Sequence, residues 1–240
     1  MNARSDAALH AFLEATAHVV AEPERKVVFT RDAIPPPPSR VALGRLVILR
    51  GHHAYHGYTQ SQCDALHLLA ERETCRALGL LLLARLFHPS GTPARIELTH
   101  PASEVRALLL DYDLALSGRG VLGYRTRIES WSWWPCASER YPVSDQRVWP
   151  EMLPALSLTN EADCIGDDWS RRDVVRCAGT DTGNVLLARV LLDACVAGGS
   201  PEIHLESALG FGGVAPGSAE LSIWLPGSVR WREEWFVDAP

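Results

Sequence analysis

The apolar residues of this chain fall into short runs that end at glycine or proline, which limits the chain to short helices and strands. The longest run, ALGLLLLARLF at 77–87, is interrupted by Arg85 and is far shorter than the roughly 20 residues that span a bilayer. We therefore expect a soluble, folded chain with no membrane span and no membrane partner. Its 240 residues are enough for one large domain or for two small ones.

Helix-breaking residues and helix-capping patterns indicate where the helices and strands of the N-terminal part lie. The sequence TQSQ at 59–62 is typical of a helix-capping box. Pro89, Gly91 and Pro93 favour a strand, a turn and a second strand around them, because these residues do not continue a helix. The elements predicted in this part are a helix over 5–21, a strand over 26–30, a proline spacer at 35–38, a strand over 41–50, a helix over 59–78, two strands within 80–99 and a helix over 101–118.

The C-terminal part repeats this order of elements. Apolar periodicity predicts a strand over 173–179, a helix over 183–197 and two strands over 202–207 and 219–226. The order β-α-β-β in both halves indicates an α+β fold of two such units, with mixed or antiparallel sheets and helices packed on one face. We expect the units at 1–135 and 155–240, joined by a proline-rich boundary; a single domain is the alternative.

Three histidines, His52, His53 and His56, stand together in GHHAYHG. On a helix, His52 and His56 would have the spacing of zinc ligands, but the glutamate of that motif is missing and two glycines bracket the stretch. The pattern therefore indicates a loop between a strand and a helix, a location where ligands often bind. A metal site at these histidines, in a hydrolase-like enzyme, is the alternative to a polar loop.

Cys63 and His67 would lie four residues apart on the predicted helix 59–78, so that their side chains could meet. Such a pair is a nucleophile only if a third group orients the histidine. Nothing adjacent supplies that group. A small buried cysteine is the interpretation that we prefer.

Tryptophan and arginine are concentrated in the segment 125–134, where the chain is expected to be extended. Trp131 and Trp133 would point to one face of a strand and Trp134 to the other, beside Arg125 and Arg127. Tryptophan and arginine are the residues that dominate protein interfaces. The sequence therefore predicts a binding surface at these five residues, with a two-sided core as the alternative.

The formal charge of −6 disfavours a nucleic-acid binder, because binding phosphates requires a basic surface. The six cysteines include no CxxC pair and we expect reduced thiols in a cytoplasmic protein, with no cofactor. These features favour a non-enzymatic bacterial-type binding protein, an inhibitor or immunity-like protein of a basic partner. A metal-dependent enzyme and a subunit of a larger assembly are the alternatives.

Overall fold

The computed structural model describes residues 3–18, 27–53, 63–88, 94–112, 130–133, 155–159, 173–179, 181–196, 200–205 and 219–236. Within them the α+β fold is confirmed, with three α-helices and two mixed sheets. The elements are α1 (Ala3–Ala15), β1 (Val27–Thr30), β2 (Arg40–Leu43), β3 (Leu46–His53), β4 (Cys63–Ala70), α2 (Arg72–Phe87), β5 (Ala94–Leu98), β6 (Ala107–Tyr112), β7 (Ser130–Trp133), β8 (Ala155–Thr159), β9 (Val174–Gly179), α3 (Asp181–Cys195), β10 (Glu202–Leu205) and β11 (Glu220–Trp224).

The strands form a ribbon and two larger sheets. The ribbon is the antiparallel pair β1–β7. The five-stranded sheet has the order β2-β5-β6-β9-β8, and the four-stranded sheet has the order β10-β11-β4-β3. Each of the larger sheets contains both parallel and antiparallel pairs, as expected for a mixed sheet.

The predicted helix over 59–78 is wrong in its first part, because residues 63–70 form β4 at the centre of the four-stranded sheet. Residues 65–70 are buried on both faces of that strand. A strand with two apolar faces lacks the alternation that distinguishes it from a helix, which explains the misassignment. The Cα atoms of Cys63 and His67 are consequently about 13 Å apart along a strand, and the two residues are not on one helical turn.

Three further assignments are corrected. LLLLARLF at 80–87 belongs to α2 and is not a strand. Residues 107–112 form β6, where the sequence predicted a helix from Pro101 to Gly118. The predicted strand over 41–50 is divided at Gly44 into β2 and β3, which lie in different sheets.

The topology is duplicated, but the first repeat does not consist of the predicted elements: its β-α-β-β order is β4-α2-β5-β6, where the sequence predicted strands over 41–50 and within 80–99 around a helix over 59–78. We call β3-β4-α2-β5-β6 (46–112) the first repeat and β8-β9-α3-β10-β11 (155–224) the second repeat. In each larger sheet, the first two strands of one repeat lie beside the last two strands of the other, through the parallel pairs β4–β11 and β9–β6. The two repeats thus exchange their hairpins between the sheets.

The registers of the two sheets correspond residue by residue. Cys177 of β9 precedes the first residue of α3 by four positions, and Leu68 of β4 precedes the first residue of α2 by four positions. We call the directly opposed residues that cross all paired strands of a sheet a row. The row through Cys177 and the row through Leu68 contain equivalent strands in the same order. These rows are Ala94–Leu110–Cys177–Leu156 and Ile203–Ile223–Leu68–Ile48.

The helices α2 and α3 cross in close contact at Gly79. This glycine is the eighth residue of α2, and Ala188, which it approaches, is the eighth residue of α3. A Cβ atom at Gly79 would lie 2.9 Å from Leu192 Cγ and 3.1 Å from the Ala188 carbonyl oxygen. Only glycine permits this approach, because real Cβ atoms keep a greater distance. Gly79 lies inside α2, so the helix end predicted at residue 78 is wrong.

The core lies where the inner faces of both larger sheets meet the two crossing helices. It contains an apolar cavity of about 30 Å³ lined by residues of both larger sheets and both helices, among them Ile48, Leu82, Leu110 and Leu187. No helix within the described ranges is long and apolar enough to cross a membrane.

Because each larger sheet contains strands from both predicted units, backbone hydrogen bonds join residues before 112 to residues after 155. Residues 134–154, which contain the predicted boundary, lie outside the described residues. The division into units at 1–135 and 155–240 stays a prediction.

The substitution Gly79→Val tests the helix crossing. We expect the free energy of unfolding to fall by about 1–3 kcal/mol, the usual cost of forcing methyl groups into a packed core. Chemical denaturation measures it. The matched control is Gly44→Ala, whose Cβ would meet only Thr99 Oγ1 at an ordinary 3.5 Å. Equal stability of Gly79→Val and the wild type would contradict the close crossing.

Candidate interaction site

The outer face of the four-stranded sheet carries a second apolar cluster, separate from the main core. Val47, Leu69 and Trp224 come from three adjacent strands, and Phe236 from the segment after β11 covers them. All four side chains are at most 6% exposed. The end of the described chain is thus packed onto the sheet.

A tight turn begins this C-terminal segment. The Ser228 N–H donates to the Leu225 carbonyl, Pro226 takes the second position, and Gly227 takes the third with φ of +94°. This is the pattern of a type II turn, in which the third residue requires a positive φ. We call residues 225–235 the C-terminal turn.

Four contacts hold the C-terminal turn and Phe236 in place. Arg45 donates to the Phe236 carbonyl at 2.7 Å while its guanidinium pairs with Glu71 at 2.5 Å. His100 Nε2 lies 2.7 Å from the Trp235 carbonyl oxygen. The other two contacts are the stacking of Trp231 on Phe236, with ring centroids 4.2 Å apart, and the hydrogen bond from the Val229 N–H to Glu202 Oε1 at 3.1 Å.

The tip of the C-terminal turn presents an apolar side chain to solvent. Val229 is 79% exposed. Among the described residues, the other large hydrophobic side chain that is exposed is Val28, at 53%. Arg230 and Arg232 flank Val229, and the Arg230 guanidinium lies over the Trp224 ring at 5.1 Å. Because the turn is already fixed, a partner that binds here loses little conformational entropy of the turn.

A row of polar side chains crosses the same sheet face. Trp224 Nε1 donates to Nδ1 of buried His67 at 3.3 Å, so the His67 proton is placed on Nε2 when the ring is neutral. The ring leaves room only for glycine at position 51, where a Cβ would lie 2.6 Å from His67 Nε2. His204 Nδ1 lies 3.0 Å from Ser222 Oγ, but Ser222 is 4% exposed. In this row the Ser222 hydroxyl and the His67 ring are buried, and the exposed ring is that of His204.

Of the predicted binding residues, Trp131 and Trp133 lie in β7, opposite Phe29 and Val27 of β1. Phe29 is buried in the main core, whereas Val28, which lies between Val27 and Phe29 in β1, is 53% exposed. Trp134, Arg125 and Arg127 lie outside the described residues. The predicted tryptophan surface therefore stays a prediction.

Of the predicted metal ligands, His52 and His53 end β3 and His56 lies outside the described residues. The strand-to-helix loop expected at this point is wrong, because β3 continues to His53 and its partner is the antiparallel strand β4. The register places His52 opposite Asp64 and His53 opposite Cys63. Within the described ranges, no three side chains of His, Cys, Asp or Glu are grouped to hold a metal ion.

Cys75, Cys177 and Cys195 are free thiols. Burial raises the pKa of the Cys75 and Cys195 thiols to about 12. Both therefore stay protonated at neutral pH, and a protonated thiol is a poor nucleophile.

Sequence patterns did not single out the C-terminal turn. Residues 231–236, WREEWF, which are the end of the turn and Phe236, have the same tryptophan and arginine composition that singled out residues 125–134. Composition alone would have selected both segments, but only the fold shows that the second one is anchored on a sheet with Val229 at its tip.

The chain matches no protein-family model, no curated protein and no solved structure. Its function must therefore be argued from the geometry of its own residues.

Proposed function

We propose that this chain is a non-enzymatic, cytoplasmic binding protein that holds a basic protein partner, as an inhibitor or immunity-like protein does. The observation that carries the proposal is the exposed, pre-organised Val229 at the tip of the C-terminal turn. The charge of −6 supports a basic partner, because opposite net charges speed association.

The composition of the C-terminal turn supports a protein ligand. Arginine and tryptophan provide most of the binding energy in protein interfaces, and the turn has both beside an exposed aliphatic side chain. Three carboxylates, of Glu202, Glu233 and Glu234, outnumber the guanidinium groups of Arg230 and Arg232. The local charge thus has the same sign as the charge of the whole chain.

Affinity capture with Val229→Asp tests the proposed site. We expect a basic protein to co-purify with the tagged wild type and its recovery to fall about tenfold or more with Val229→Asp, as for a central interface residue. Quantitative mass spectrometry measures recovery. Stability should be unchanged, because Val229 has almost no contacts to lose.

The matched control is Val28→Asp, which changes the other exposed valine, on the ribbon that contains Trp131 and Trp133. We expect this variant to capture the partner normally. Loss of capture by Val28→Asp alone would move the binding site to the ribbon. Equal recovery by all three proteins, or the absence of a basic protein, would contradict the proposal.

A metal-dependent enzyme is the second candidate, and the register of β3 and β4 favours it. The register pairs position 53 of β3 with position 63 of β4, a histidine with a cysteine, at the end of the hairpin. Imidazole and thiolate are the ligands that zinc prefers. A complete site needs a third ligand, and His56 is the sequence candidate.

Cobalt(II) titration of the purified, untagged protein tests the second candidate. A site at His53 and Cys63 should give a near-ultraviolet thiolate-to-cobalt band at one equivalent, and Cys63→Ser should abolish it. Cys75→Ser is the control, since burial holds that thiol protonated. An identical spectrum for the wild type and Cys63→Ser would exclude a metal site that uses Cys63.

A further inference from the structure

Among the described strands, β10 is at one edge of the four-stranded sheet and pairs only with β11. The Leu225 N–H donates to the Pro201 carbonyl, so residues 201, 203 and 205 direct their backbone groups toward β11. The backbone N–H and carbonyl groups of Glu202 and His204 therefore point away from β11, toward the outer side of β10. The Ser200 hydroxyl bonds both the N–H and the carbonyl of Glu202, whereas no described residue bonds the backbone of His204.

In the five-stranded sheet, the equivalent edge is paired with an additional strand. There β5 occupies the place of β10 in the duplicated topology, and its outer edge is covered by the parallel strand β2. The Arg95 N–H donates to the Ser39 carbonyl at 2.9 Å, and the Thr99 N–H donates to the Leu43 carbonyl at 3.1 Å. The two repeats therefore differ at this edge: within the described ranges, β5 has an added strand and β10 has none.

The register makes His204 the counterpart of Arg95. Ala94 and Ile203 occupy equivalent places in the two corresponding rows of the sheets, and Arg95 and His204 are the next residues along the chain. Both have backbone groups that face away from the central strands. The His204 N–H is thus the donor that corresponds to the Arg95 N–H.

Arginine fastens the added strand in the five-stranded sheet. Arg40 of β2 reaches Glu97 of β5 at 2.8 Å, and Arg95 reaches the same carboxylate at 2.6 Å. Partial burial opposes ionisation of Glu97, but the hydrogen bonds and charges of Arg95 and Arg40 outweigh it and lower the pKa of Glu97. A basic residue on the incoming strand is therefore part of the pattern.

We propose that β10 binds a basic strand of the partner protein, added parallel to it as β2 is added to β5. This inference rests on the proposed binding function and gives its mode of docking. Strand addition gains affinity from backbone hydrogen bonds at a sheet edge, here beginning with the His204 N–H.

Two observations connect this edge with the proposed partner. Glu202 of β10 accepts the hydrogen bond from the Val229 N–H, so the edge strand and the C-terminal turn are adjacent. The net charge of −6 and the Glu202 carboxylate favour a basic strand over an acidic one.

A peptide with the sequence of residues 38–45, PSRVALGR, is the probe, because it copies β2 and has two arginines and no acidic residue. Added to the full-length protein, it should shift the amide resonance of His204 and protect that amide from hydrogen exchange, while the Arg95 amide stays unchanged. The β2 residues that face β5 are 39, 41 and 43. N-methylation at Val41 should thus weaken binding about tenfold or more, and N-methylation at Ala42 should not.

The other occupants of this edge give distinct results. Protection of the His204 amide in the free monomer means that the chain's own residues cover the edge, and protection only in a dimer means that a second copy does. Either result overturns the proposal, as does a failure to bind or a shift at Arg95 in place of His204. If the peptide fails but capture through Val229 persists, strand addition is wrong and the binding function stands; if the peptide binds but no partner is captured, the binding function fails.

Discussion

The crossing of α2 and α3 at Gly79 is the contact on which the rest of the fold depends. With no side chain at Gly79, α3 approaches so closely that Leu192 and the Ala188 carbonyl occupy the space where a Cβ would lie. The helices then present apolar side chains to both larger sheets around one small cavity. A wider crossing would enlarge that cavity, and voids in a core are costly because their walls lose packing contacts.

The exchange of hairpins between the repeats makes the proposed interaction site a product of both halves. Trp224 belongs to the second repeat, whereas Val47 and Leu69, on which the C-terminal segment packs, belong to the first repeat. Arg45 and His100, which fasten that segment, also precede the second repeat in the chain. The position of Val229 therefore depends on the pairing of the parallel strands β4 and β11.

The sequence predicted the second repeat better than the first for a physical reason. The helix α3 alternates buried and partly exposed residues, and this period is visible in the sequence. In α2, the residues from Ala77 to Phe87 are all buried, so the helix has no polar face that would distinguish it from a buried strand. The α+β class was still predictable, because it depends on the presence of both helices and strands, whereas the order predicted for the first half combined wrongly assigned elements.

The candidate site was less predictable, because tryptophan and arginine composition selects segments without showing which of them the fold anchors. Trp231 and Trp235 become a candidate site only through Phe236, His100 and Arg45, which no local pattern connects. Likewise the difference between β10 and β5, that only β5 has a second neighbouring strand among the described residues, is visible only when the two sheets are compared. Such features depend on contacts between residues far apart in the sequence.

Nuclear Overhauser effects between backbone protons of the full-length protein test the exchange of hairpins between the two repeats. We expect cross-strand effects that connect Ala65 with the strand around Glu220, and Ala107 with the strand around Val174, in the pattern of parallel strands. Effects confined to strands of the same half, with none between β4 and β11 or between β6 and β9, would contradict it.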